Sequence, residues 1–222
     1  MSEAAGAEPT RVFAVRHGET DWNAGLRLQG HVDVPLNATG RRQAERLADA
    51  LADAGIEVLI ASDLARARDT AAPLAARLGL PVELDAGLRE RGFGEFEGFT
   101  HAEIEARWPE QALRWRRREP GYGPAGGEAL EAFHARCIAA ATAHAVRHAG
   151  RTIALFAHGG VLDCLYRAAV GVDLQAPRSW QLGNAAINRL LWHGSGFSLV
   201  GWNDTAHLDE PEAASRSVAD AG

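Results

Sequence analysis

Arg11-Val12-Phe13-Ala14-Val15-Arg16-His17-Gly18 and Thr152-Ile153-Ala154-Leu155-Phe156-Ala157-His158-Gly159-Gly160 are two apolar runs that end alike, in a histidine followed by glycine. Short apolar runs bounded by polar and glycine residues read as strands buried on both faces. Ligands of open α/β sheets bind outside the carboxyl ends of such strands, near the point where strand order reverses. Glycine after each histidine lets the chain turn sharply and lets a ligand come close. The two imidazoles, distant in sequence, are therefore expected to face one crevice.

The surrounding segments alternate between strand and helix. Thr39 to Ala54, with Leu47 and Leu51 set among arginines and acids, reads as an amphipathic helix ending at Gly55. Val58-Leu59-Ile60 is a further strand, and Leu64 to Leu78 a helix closed by Gly79 and Pro81. Thr100 and Glu103 have the spacing of a capping box, opening a helix that stops before Pro109. Arg114 to Gly127 reads as an excursion over the surface, Glu128 to Ala149 as a long helix, and Val161 to Val170 as another. Ala185 to Trp192 and Phe197 to Trp202 read as a terminal hairpin. This order predicts a three-layer α/β/α sandwich with a mostly parallel central sheet and an antiparallel edge. One domain is expected over 11–208, between a flexible N-terminus (1–10) and a flexible C-terminal tail (209–222).

The composition, 46% hydrophobic and 23% charged over 222 residues, is that of a globular chain with a sizeable core. A net charge of −6 gives no nucleic-acid surface and no attraction to an anionic membrane. All 23 basic residues are arginine, which excludes a Schiff-base lysine and a Walker-type lysine. Cys137 and Cys164 lack metal or redox spacing and are expected as small core residues in a reducing compartment. The polar start of the chain has no basic-then-apolar leader pattern, and a cytoplasmic location is the default expectation.

Arginines indicate what the crevice binds. Arg16 directly precedes His17, and Arg66 opens a helix after a strand. A guanidinium fork and a helix N-terminus both favour a tetrahedral anion, and the same arginines repel a bare divalent cation. A metal-dependent hydrolase using His17, His158, Glu19 and Glu90 as ligands is the weaker alternative. A phospho-ligand-binding module without catalysis is another.

The run Val15-Arg16-His17-Gly18-Glu19-Thr20-Asp21-Trp22-Asn23 resembles the signature of the histidine phosphatase superfamily, which includes cofactor-dependent phosphoglycerate mutases. The resemblance continues through Gln29-Gly30, Asp33-Val34-Pro35-Leu36, Gly40, Ser62-Asp63-Leu64-Ala65-Arg66-Ala67 with Thr70, Leu88-Arg89-Glu90 before Gly94 and Gly98, and His158-Gly159-Gly160. It spans roughly residues 11 to 205 in order. It implies a phosphoglycerate mutase-like fold and a phosphohistidine on His17. Arg16, Asn23, Arg66, His158 and Gly159 would hold the phosphate, and Glu90 would be the general acid and base. Such a phosphatase needs no cofactor and no metal. Its partner is a small phosphorylated metabolite, with either a monomer or a homodimer allowed.

Thr20, Gln29, Gly30, Arg116 and Arg117 are candidates for substrate selection. Mutases carry a longer insertion with paired arginines and a double proline. Here Trp115-Arg116-Arg117-Arg118-Glu119-Pro120 has the arginines without the double proline, so the phosphatase branch is favoured over a bisphosphoglycerate-dependent mutase. His134, His144 and His148 are expected on a helix surface, and His31, His101, His193 and His207 have no supporting arrangement, His207 being the one of these with a route to the pocket.

Overall fold

The computed structural model describes residues 8–209. Most of the two ends expected to be flexible lies outside these residues. Thr10, however, already belongs to the first strand, where its hydroxyl is buried and donates to Ala145 O at 2.9 Å.

Six strands form one sheet: β1 (Thr10–Arg16), β2 (Val58–Ala61), β3 (Val82–Leu84), β4 (Thr152–Ala157), β5 (Ile187–Trp192) and β6 (Phe197–Asp204). Their order is β3-β2-β4-β1-β5-β6. The first four are mutually parallel, whereas β5 and β6 run antiparallel to their neighbours. The three-layer sandwich with an antiparallel edge is therefore what the chain forms. The short edge strand β3 was not anticipated.

Alternation along the strands divides the core in two. Val12, Ala14, Val58, Ile60, Ile153 and Leu155 face α6 (Leu130–Arg147) and α7 (Gly159–Val170). Val15, Leu59, Ala61, Ala154 and Phe156 face α2 (Ala38–Leu51) and α3 (Ala65–Leu78). Covering both faces is why β2 and β4 are buried at every position, as their unbroken apolar sequences require. Cys137 and Cys164 are free and buried in the first of these layers.

Local sequence sets the helix ends. Asn37 caps α2 by accepting from Gly40 N, and Gly79 ends α3 in the left-handed conformation at φ 64°. The Thr100–Glu103 capping box opens α4 (His101–Arg107), and Pro109 then takes the first position of α5 (Pro109–Arg116). Phe96, Ile104 and Ala112, with Phe93, Phe99, Trp108 and Trp115 packed against them, make a third small core.

The expected surface excursion from Arg114 is thus corrected. Its first residues finish α5, Tyr122 is buried, and Arg118 turns inward. Aromatic packing of Trp115 on Phe93 and Phe96 supplies the burial that a reading of Arg, Gly and Pro content does not register.

Candidate active site

β1 and β4 are hydrogen-bonded neighbours, so His17 and His158 emerge side by side with ring centroids 5.2 Å apart. Both are buried. His17 Nδ1 lies 2.7 Å from Gly18 O. A carbonyl can only accept, so Nδ1 carries the proton and Nε2 keeps its lone pair. Burial first, and then the charges of Arg66 and Arg16, hold the His17 pKa well below its usual value. His158 is depressed likewise, by burial, Arg66 and His17. Both rings are therefore neutral at pH 7.

Arg16 Nη1 donates to Leu182 O. Arg66 is fully buried and donates to Val32 O at 2.9 Å and Gly30 O at 2.8 Å. These bonds fix both forks yet leave Arg16 Nε and Arg66 Nε buried without a partner. His158 Nε2 is engaged with Ser62 Oγ at 2.8 Å, and its Nδ1 is buried and unpartnered too. Buried unsatisfied donors cost about 1–3 kcal/mol each, so the two guanidinium N–H groups are prepared for an anion. Desolvation lowers the Arg16 pKa to about 10, which still leaves it charged at neutral pH.

Asn23 sits in the one-turn helix α1 (Asp21–Ala24). Its Oδ1 accepts from Thr20 N, Thr20 Oγ1 and Asn184 Nδ2. The amide oxygen is thereby occupied, and the NH₂ is the group left for the cavity. Glu90 Oε1 accepts from Arg91 N at 2.9 Å and Oε2 from Gly160 N at 3.0 Å. Its basic neighbours do not pair with it: Arg89 binds Asp63, and Arg91 binds the Glu128 and Tyr122 carbonyls. Glu90 consequently lines the cavity rather than a surface ion pair.

The cavity is about 620 Å³, with Arg16, His17, Asn23, Arg66, Glu90 and Gly159 in its wall. Of the other sequence candidates, Gln29 also lines it, with Oε1 unpartnered. Thr20 and Gly30 act one step back, holding Asn23 and Arg66 respectively. Arg116 and Arg117 do not reach it. Both are exposed, and Arg116 pairs with Glu105 at 3.0 Å.

Arg118 takes their place. It follows the end of α5 at φ 51°, a left-handed turn that redirects its side chain inward, onto Asp163 at 2.9 Å. His101, Arg178 and Asn184 also line the cavity and were not anticipated. Asn184, which bonds His17 O at 3.0 Å, had a local signal in the Gly183-Asn184 turn before the hairpin. Arg178 had none.

Other histidine expectations fail. His144 and His148 are buried, because β3 and the turn after it cover that face of α6. His207 lies beside Arg46 of α2, away from the cavity.

A sequence profile of the histidine phosphatase superfamily (branch 1) matches residues 12–205, and the chain belongs to that family. It is 36% identical over 204 residues to a glucosyl-3-phosphoglycerate phosphatase of Mycobacterium tuberculosis, covering 86% of this chain and 91% of that one. It is 37% identical over 211 residues to a probable phosphoglycerate mutase of Yersinia enterocolitica, covering 90% and 96%. The solved native structure of a mycobacterial glucosyl-3-phosphoglycerate phosphatase superposes with a TM-score of 0.78 at 34% identity, covering 89% of this chain and all of that one. Among the described residues no helix is long and apolar enough to cross a membrane.

Proposed function

We propose that the chain hydrolyses a small phosphomonoester by way of a phosphohistidine on His17, without a catalytic metal. The observation that carries this reading is the pair of buried, unpartnered guanidinium donors, Arg16 Nε and Arg66 Nε, at a histidine whose Nε2 is left free, with the unpartnered Nδ1 of His158 on the neighbouring ring. They are suited to the non-bridging oxygens, with Asn23 adding a neutral donor, and they spread charge as the phosphoryl group moves.

His17 Nε2 attacks phosphorus and the ester P–O bond breaks, the leaving alkoxide taking a proton from Glu90. Water then attacks the phosphohistidine and gives its proton to Glu90. The P–N bond breaks, and phosphate leaves. Trp22, Phe93 and Trp115 offer the organic part of the substrate an apolar wall, while Arg118 and Arg178 offer a place for a second negative charge.

The same two arginines also suit a mutase, which must hold its substrate's carboxylate while the phosphoryl group returns. The test is turnover of p-nitrophenyl phosphate in EDTA by the wild type and by His17→Ala. We expect phosphate release that survives the chelator and falls by more than about a thousandfold in the variant. Activity retained in His17→Ala would reject the nucleophile. A phosphoenzyme that transfers to 3-phosphoglycerate faster than to water would favour the mutase.

A further inference from the structure

Apart from the active-site cleft, one other cluster of ligating side chains stands out among the described residues. Glu83 on β3 faces His144 in the last turn of α6 and His148 at its C-cap. Each offers one donor atom, and these atoms lie within 4.8 Å of one another. The imidazoles sit one helical turn apart and stack with an interplanar angle of 1°.

Both histidines are 8% exposed. His148 Nε2 is buried with no hydrogen-bond partner, the Glu83 carboxylate being 4.0 Å away. His144 has one nitrogen, Nε2, bound to Asp85 Oδ2 at 2.8 Å, while its other nitrogen, Nδ1, is buried and unpartnered. Asp85 is itself fixed, its second oxygen accepting from Gly87 N at 2.7 Å. Histidines that ligate metals commonly have one ring nitrogen fixed by a carboxylate in this way.

We propose that Glu83, His144 and His148 form a structural site for a zinc-class divalent ion, with Asp85 orienting His144. Two imidazoles and one carboxylate are a ligand set for zinc or a neighbouring transition metal, whereas calcium and magnesium require oxygen donors. The charge that faces His148 is the Glu83 carboxylate, 4.0 Å from its Nε2. The remaining charges beside it are Arg147, which pairs with Glu83 at 3.1 Å, and Arg151.

A tetrahedral ion with bonds of about 2.1 Å needs donors roughly 3.4 Å apart, so donors up to 4.8 Å apart must close by up to about 1.4 Å. Glu83, one-third exposed on an edge strand, has room to close on His148 Nε2, 4.0 Å away. An ion there would tie the end of α6 to β3 and to the turn Ala86–Leu88 that leads into Glu90. It would stabilise the fold and take no part in the chemistry.

The experiment is calorimetric titration of the metal-stripped full-length protein with Zn²⁺, paired with thermal unfolding. The wild type, His148→Gln, Glu83→Gln and His17→Ala are compared. We expect one ion per chain and a raised unfolding midpoint in the wild type and in His17→Ala. Affinity should fall by more than about tenfold in both His148→Gln and Glu83→Gln. Glu83→Gln decides the matter if His148→Gln does not fold. No binding by the wild type, or unchanged affinity in Glu83→Gln, would overturn the site. Loss confined to His17→Ala would assign the ion to the catalytic imidazoles instead.

Discussion

Gly160 shows how little room the cavity wall leaves. A Cβ there would stand 2.2 Å from Glu90 Oε1 and 2.9 Å from Phe133 Cζ, while the backbone N–H already donates to Glu90 Oε2. Gly160→Ala must push the carboxylate aside, with an overpacking cost of about 1–3 kcal/mol against Phe133. We expect a chain that folds, with a lower melting temperature, and loses turnover by roughly a hundredfold through displacement of the acid. Steady-state kinetics beside a melting curve checks this, and unchanged kcat would remove Glu90 from the reaction. At this scale much of the site was legible in the sequence. His17, Arg66, Glu90 and His158 each lie in a short motif, and a motif is local by construction. The run Arg116-Arg117-Arg118 does not say which member turns inward, because three adjacent arginines look alike until the backbone turns at one of them.

Helix α7 supports the cavity through Asp163, whose carboxylate binds both Arg118 and Arg167 at 2.9 Å. Arg167 is almost wholly buried, stacks over Trp180 and donates to the carbonyls of Asp173 and Ala176. Removing the carboxylate leaves that guanidinium uncompensated in the interior. Asp163→Ala is expected to destabilise the chain by about 3–5 kcal/mol, measured by urea unfolding. Arg118→Ala should cost little stability and instead raise KM for substrates that carry a second charge. Equal stability losses in the two variants would show that Arg118 serves the fold and not the ligand. Element types were readable here from period and caps. The strand β3 escaped notice because three half-exposed residues leave no apolar run.

Across the whole molecule, neutral buried histidines make stability depend on pH. His17 and His158 titrate near ~6.5 when unfolded and well below that when folded, because burial and neighbouring arginines oppose their protonation. The unfolded chain binds more protons below this value, so their contribution is intact above about pH 6.5 and is lost as the pH falls toward the folded values. The slope is at most about 1.4 kcal/mol per pH unit for each ring. Urea midpoints should therefore fall between about pH 7 and pH 5.5, and inorganic phosphate should raise them by satisfying the orphaned donors. A flat profile without phosphate would mean that the rings are accessible to protons in the folded chain.

Alternation of apolar runs and amphipathic segments determined the sandwich, and motif spacing picked out the candidate residues His17, Arg66 and Glu90 that line the cavity, because both are properties of neighbours along the chain. Only the tertiary structure decided which arginine of the run faces the cavity, that the carbonyls of Gly30, Val32 and Leu182 hold the guanidinium forks, and where His144 and His148 find cover. Those outcomes depend on packing between elements distant along the chain, as when β4 slots between β1 and β2 and sets His158 beside His17. No local pattern records which of several chemically equal side chains the packed core will turn inward.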